Sequence, residues 1–192
     1  MSTVLSSPAE RRWEDPREAP GDDCVRLRSV RIVDEDLRTI ESIDVRRPFG
    51  IETVFDVAQQ KYPFVPAVYI KNEQDVAAFL ALDTDTAWRE PPRAGRYVSI
   101  AWVPANLLNE GRMFVTVLLA TLISGGKSIK RAVAFDVVGF QVIDFGEGGT
   151  ARGDFVGVWT EPVRPLLSWT TRVSEMTPDL EATTAASVAN VV

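Results

Sequence analysis

Histidine is absent from all 192 residues. Without an imidazole, Ser-His-Asp and Cys-His nucleophilic catalysis, histidine metal ligation and a histidine pH switch are all excluded. A single cysteine, Cys24, rules out an intrachain disulfide framework. Basic residues are outnumbered, 21 Lys and Arg against 27 Asp and Glu, for a net charge of −6. A general attraction to nucleic acid or anionic lipid is therefore not expected. Long apolar runs are missing too. The longest, Met113 to Ile123, is interrupted by Thr116 and Thr121 and falls short of the roughly 20 residues of a spanning helix. The first residues lack the basic start and apolar stretch of a secretion signal, which makes the cytoplasm the expected location. No GxxxxGK[ST] phosphate loop occurs. Gly125-Gly126-Lys127-Ser128 imitates its end, but Thr121 stands where the first glycine belongs, and a hairpin turn is the better reading. No cofactor is expected.

What is present is ordinary globular composition, 45% hydrophobic and 25% charged. Residues 1–23 are polar and Pro-rich and read as a linker. Trp13 is too large an aromatic to stay in solvent and is expected to dock on the domain that follows. From Cys24 a period of two takes over, first in Val25 to Val33 and then in Ile51 to Ala58, where Ile51, Thr53, Phe55 and Val57 share a side. Further strands are expected at Val65 to Lys71, Val76 to Asp83, Tyr97 to Val103, Met113 to Leu122 and Ala132 to Phe145, with a short last strand at Leu166 to Thr171. Helical signals are confined to one turn behind Pro104 and a frayed start at Pro178 to Glu181. Such strands, joined by short turns, predict an all-β chain folded as an antiparallel β-sandwich over residues 24–172, followed by a mobile tail, 173–192.

Two groups of residues could carry chemistry. Asp83-Thr84-Asp85 places two carboxylates beside Trp88 and Arg89. Paired carboxylates serve glycoside hydrolysis or Ca²⁺ ligation, but Asp residues also build strand-ending turns by accepting backbone hydrogen bonds. The five tryptophans are the second group. An indole on a wet sheet face offers an apolar platform and one N–H donor, which suits the C–H-rich face of a sugar ring. In the Tyr97 strand, periodicity favours Val98, Ile100 and Trp102 inside and Tyr97 outside. Tyr69, between Val68 and Ile70, is likewise expected to face outward. The candidate sugar contacts are thus Tyr69, Trp88 and Tyr97 as aromatic surfaces, with Asp85, Arg89 and Arg96 as hydroxyl partners.

Three stretches together resemble a known family. They are Glu10-Arg11-Arg12-Trp13-Glu14-Asp15 running on through Ala19-Pro20-Gly21-Asp22-Asp23 to Arg31, then Ile100-Ala101-Trp102-Val103-Pro104-Ala105-Asn106 to Gly111, and last Ala151-Arg152-Gly153-Asp154-Phe155 with Val163-Arg164-Pro165-Leu166-Leu167-Ser168-Trp169. In this order they resemble the C-terminal carbohydrate-binding domain of Wzt-type ATP-binding subunits of polysaccharide (O-antigen) ABC transporters. The likeness spans about residues 10–170. It implies an immunoglobulin-like sandwich that binds a lipid-linked polysaccharide on one sheet without catalysing a reaction. It also implies a homodimer, with the long strands Met113–Leu122 and Ala132–Phe145 as edges to pair, working with the transporter's nucleotide-binding and membrane subunits on the cytoplasmic side of the inner membrane. The family's ATPase domain is missing from this sequence, which reads as either an excised piece or a free-standing relative, a start just before the linker favouring excision. The alternative is a dimerisation module without sugar binding. A carboxylate-dependent hydrolase is the third reading.

Overall fold

Alternation between apolar and charged residues sets the first sheet. In the computed structural model, which describes residues 8–123 and 125–173, strand β2 (Val25–Val33) pairs antiparallel with β4 (Phe49–Val57), and β4 with β7 (Gly95–Val103). A bulge at Arg28 separates Leu27 from Ser29 in the register. It shifts the period by one, so Val25, Leu27, Val30 and Ile32 all reach the core while Arg28 stays on the wet side. On β4 the expected inner set Ile51, Thr53, Phe55 and Val57 is buried. A short strand β1 (Glu10–Arg12) adds to β2 and completes the order β1-β2-β4-β7.

The second sheet has the order β3-β9-β8-β5-β6, built from β3 (Ser42–Asp44), β5 (Val65–Asn72), β6 (Ala77–Leu82), β8 (Gly111–Ile123) and β9 (Lys127–Ile143). Every pairing is antiparallel except the three-residue contact of β3 with β9. Val68, Ile70, Val115, Val117, Val138 and Phe140 meet the first sheet's inner residues in one apolar core. The chain is thus an immunoglobulin-like β-sandwich held by packing, with Cys24 a buried free thiol. Among the described residues no helix is long and apolar enough to cross a membrane.

Several sequence expectations change. The segment expected as a linker up to residue 23 is fastened to the sandwich from Pro8 onward: the Ile32 amide donates to the Ala9 carbonyl at 2.9 Å, Trp13 to Arg28 at 3.0 Å and Leu27 to Pro20 at 2.9 Å. Trp13 docks against the core as expected. On β7 the faces are reversed. Tyr97 packs inward, parallel to Phe55 with ring centres 5.5 Å apart, while Val98 is 60% and Trp102 49% exposed. β8, expected to offer an edge, lies between β5 and β9. No helical turn follows Pro104. Residues Leu166 to Thr171 form no strand, and the expected helix start at 178–181 lies outside the described residues. The chain reaches Leu166 through a clamp: Arg164 donates its amide to the Leu107 carbonyl at 2.8 Å, and Val163 bridges Leu108. The Arg164 guanidinium meets Asp144 at 2.5 Å, the two side chains only 1% and 2% exposed.

Candidate functional site

Small side chains open the sandwich on one flank. Thr53, Ser99 and Ala101 of the first sheet face Val68, Ala81 and Val117 of the second beside the edge strands β6 and β7, leaving a cleft of about 330 Å³. Leu82, Asp83 and Thr84 form a wall shared with a second hollow of about 380 Å³, which Phe64, Asp85, Trp88, Arg89 and Leu122 also line. A 3₁₀ turn, Thr86–Arg89, presents Trp88 and Arg89 to this hollow. Its start is fixed by Asp85, whose side chain accepts from the Ala87 amide at 2.9 Å. Asp83 accepts the Asp85 amide at 3.0 Å on one oxygen and the Trp88 indole N–H at 2.7 Å on the other. Both carboxylates thus build the turn, as Asp does where a chain reverses.

Trp88 belongs to an aromatic cluster. Its ring stacks on Phe64 at 5.8 Å and lies 6.0 Å from Tyr97 and 6.3 Å from Phe55. The indole is half-buried and its N–H is taken, so it offers a ligand only its remaining apolar surface. Hydroxyl partners beside it are the carboxylates of Asp83 and Asp85 and the guanidinium of Arg89. An apolar plane flanked by donors and acceptors is the arrangement that binds a ring with one C–H face and a rim of hydroxyls. Among the described residues no three acidic or thiol side chains converge as a metal site.

This architecture recurs in a known structure. A crystal structure described as the C-terminal domain of wzt superposes with a TM-score of 0.60 at 16% identity, covering 86% of this chain and 90% of that chain. The chain has the Wzt C-terminal fold. No protein-family profile and no curated protein sequence matches it.

On the Wzt-type sandwich the six expected contact residues fall into three places. Asp85, Trp88 and Arg89 gather at the hollow. Tyr97 lies behind Trp88 with its hydroxyl donating to the Arg93 carbonyl at 2.9 Å, so it supports the indole from the inner side instead of facing solvent. Arg96 is on the outer face of the first sheet, bound to Asp56 at 2.7 and 3.1 Å. Tyr69 is on the outer face of the second sheet, paired in register with Thr116 and Leu80. Sequence reasoning missed Asp56 and Glu52. Asp56 ties Arg96 and Arg28 together, and Arg96 first, then Arg28, hold its carboxyl below the usual range against a burial effect. Glu52 receives Arg31 in a two-point contact at 2.7 and 2.8 Å. For Glu52 the signal was available, since it alternates with inner residues on β4 directly across from Arg31 of β2, whereas Asp56 lies across from Arg26 and is bound by Arg28 of the bulge instead.

Proposed function

We propose that this chain is a non-catalytic carbohydrate-binding module that recognises a lipid-linked polysaccharide of the O-antigen type for export by an ABC transporter. The observation that carries this reading is the hollow beside β6, where Trp88 stands among Asp83, Asp85 and Arg89 in a sandwich of Wzt C-terminal fold. Trp88 would lie against a sugar ring while Asp85 and Arg89 bridge its hydroxyls, directly or through water. Tyr97 and Phe64 keep the indole in place. The partners would be the transporter's nucleotide-binding and membrane subunits, with the module on the cytoplasmic side of the inner membrane.

A homodimer is part of this proposal, and the segment beyond the Arg164 clamp supports it. Leu166, Leu167, Trp169 and Val173 are 52%, 58%, 85% and 98% exposed, a run of apolar side chains that a second copy would cover. The same feature favours the second reading, a dimerisation module without sugar binding. Titration of Arg89→Ala and Trp88→Phe with polysaccharide released by mild acid from the producing cells separates the two. A carbohydrate-binding module loses affinity in both variants while its dimer mass, read by light scattering, is unchanged. A dimerisation module shows no saturable binding in any form.

A further inference from the structure

The hairpin of β8 and β9 runs past the end of the sandwich. Strand β5 pairs with β8 only as far as Ala120, opposite Val65. Three further cross-strand pairs, Thr121–Ile129, Leu122–Ser128 and Ile123–Lys127, have no partner in β5. The tip therefore stands about 10 Å clear of that strand, at roughly 3.3 Å per residue. On its other side β9 is paired with β3 only at 141–143, so the Lys127 end is a free edge. Arg131 fixes the base. Its Nε donates to Thr121 Oγ1 at 3.0 Å and its Nη1 to Asp22 at 3.3 Å, and its guanidinium lies 4.0 Å from the centre of the Tyr62 ring.

Apolar side chains on this projection lie outside the core. Leu122, on one face, and Ile123 and Ile129, on the other, are all exposed. Phe135, further along β9, is 71% exposed, with the Lys130 ammonium 5.8 Å from its ring centre. Basic residues flank them. The chain has four lysines, and Lys61, Lys127 and Lys130 all belong to this end, Lys61 lying over the same Tyr62 ring as Arg131. From Gly111 to Phe135 there is no acidic residue, while Arg112, Lys127, Lys130 and Arg131 are basic, in a chain whose net charge is −6. Among the described residues neither Lys127 nor Lys130 is held in an ion pair, whereas Lys71 is shared by Asp75 and Asp136.

We infer that the β8–β9 hairpin docks this chain on an anionic lipid surface, with Leu122, Ile123 and Ile129 entering the acyl boundary and Lys127 and Lys130 among the headgroups. A net charge of −6 excludes a general attraction to such a surface but not a local one, because exposed charges more than about 8–10 Å away are largely screened at physiological salt. A flat protein surface could cover one face of the projection, whereas acyl chains close round both. Lysines on a free strand edge also oppose pairing with a second copy. Their stems pack on apolar neighbours while the ammonium groups stay at the level of the phosphates. Leu122 also lines the Trp88 hollow, so docking sets that hollow at the bilayer surface, where a lipid-linked sugar chain begins. That consequence rests on the glycan-binding reading; the docking itself does not.

The test is co-sedimentation of the full chain with vesicles of equal parts phosphatidylglycerol and phosphatidylcholine, and with vesicles of phosphatidylcholine alone. Wild type is compared with the double variants Lys127→Glu/Lys130→Glu and Ile123→Ser/Ile129→Ser, all at exposed positions outside the core. Wild type is expected to bind the anionic vesicles and not the neutral ones, and to bind less as salt is added. Each double variant is expected to bind at least tenfold more weakly, with circular dichroism unchanged. Wild-type chain left in the supernatant with anionic vesicles overturns the inference, and so does undiminished binding by either folded variant. A hairpin that serves a protein contact instead shows itself when a variant loses mass by light scattering and wild type ignores the vesicles, which also overturns it. Titration of the same proteins with the mild-acid-released polysaccharide keeps the two readings apart. A chain that binds vesicles but no polysaccharide leaves the docking standing and removes the glycan reading.

Discussion

Replacing Asp144 by Asn should release the C-terminal clamp. Asp144 is buried at the end of β9, where one oxygen accepts from the Gly146 amide at 3.0 Å and the other from Thr150 at 3.1 Å and from Arg164 at 2.5 Å. Arg164 is itself 2% exposed, with Nη1 lacking any hydrogen-bond partner and its guanidinium carbon 5.7 Å from the Trp159 ring. Removing the carboxylate charge leaves that guanidinium buried and uncompensated, a change that costs about 3–5 kcal/mol. Asparagine keeps one oxygen to accept from the Gly146 amide and can turn an Nδ2–H to the Thr150 hydroxyl, which rotates to accept it, and this puts the expected loss near the lower end, about 3 kcal/mol. For a domain of this size that lowers the melting temperature by roughly 6–12 °C. Calorimetry reads the shift, and hydrogen exchange at the Arg164 amide, which donates to Leu107, reads the clamp itself. If Asp144→Asn melts within a degree of wild type and the Arg164 amide stays as protected, the buried pair is not what fastens this segment.

Acid should act through the same group. Burial disfavours the Asp144 carboxylate, but the Gly146 amide, Thr150 and Arg164 outweigh it and set its pKa below 3.8. Its contribution is therefore full above the unfolded-chain value and lost as pH falls through the lower folded one. Urea midpoints should hold from pH 7 to about 4 and drop below that; a midpoint that rises in acid contradicts the assignment. Gly50→Val should destabilise by about 1–3 kcal/mol through overpacking against Ile100 and Val33, and an unchanged urea midpoint would show that the space above Gly50 yields freely. Trp88→Ala should lose about 2 kcal/mol, because the half-buried indole packs on Phe55, Phe64 and Tyr97; a wild-type melting curve would mean that this packing contributes nothing. Deleting Trp169 and the residues after it should weaken self-association seen by light scattering, and an unaffected dimer would place the interface elsewhere.

The sandwich was legible because its strands alternate and its turns are polar. On β4 the faces follow the pattern: Ile51, Thr53, Phe55 and Val57 are inside, while Asp56 and Glu52 are on the outer face, Glu52 buried there under Arg31. On β7 a period of two defines two faces without saying which is inner. Val98, Ile100 and Trp102 are the bulkier set, and hydrophobicity alone put them in the core. Register decides otherwise, since the buried Ile51, Thr53 and Phe55 pair with Ala101, Ser99 and Tyr97. The bulge at Arg28 is invisible to the same arithmetic, because one extra residue inverts the period without changing composition. Of the candidate site, Asp85, Trp88 and Arg89 could be grouped because they are neighbours in sequence. The cleft beside them could not, because it arises from small side chains on strands of both sheets. Trp13 showed that a charged, Pro-rich stretch can still be anchored. Glu10 to Arg12 pair as an edge strand, and the unpaired N–H and C=O groups of β2 are satisfied that way.

Calorimetric titration of the wild-type chain with the polysaccharide of its own producing cells, freed of lipid, tests glycan recognition most directly. A carbohydrate-binding module gives saturable heat with a sub-millimolar dissociation constant, and the same titration with ATP gives none, since the sequence has no phosphate-binding loop. A folded, dimeric chain that takes up no polysaccharide at any attainable concentration would contradict the proposal and leave the dimerisation module in its place.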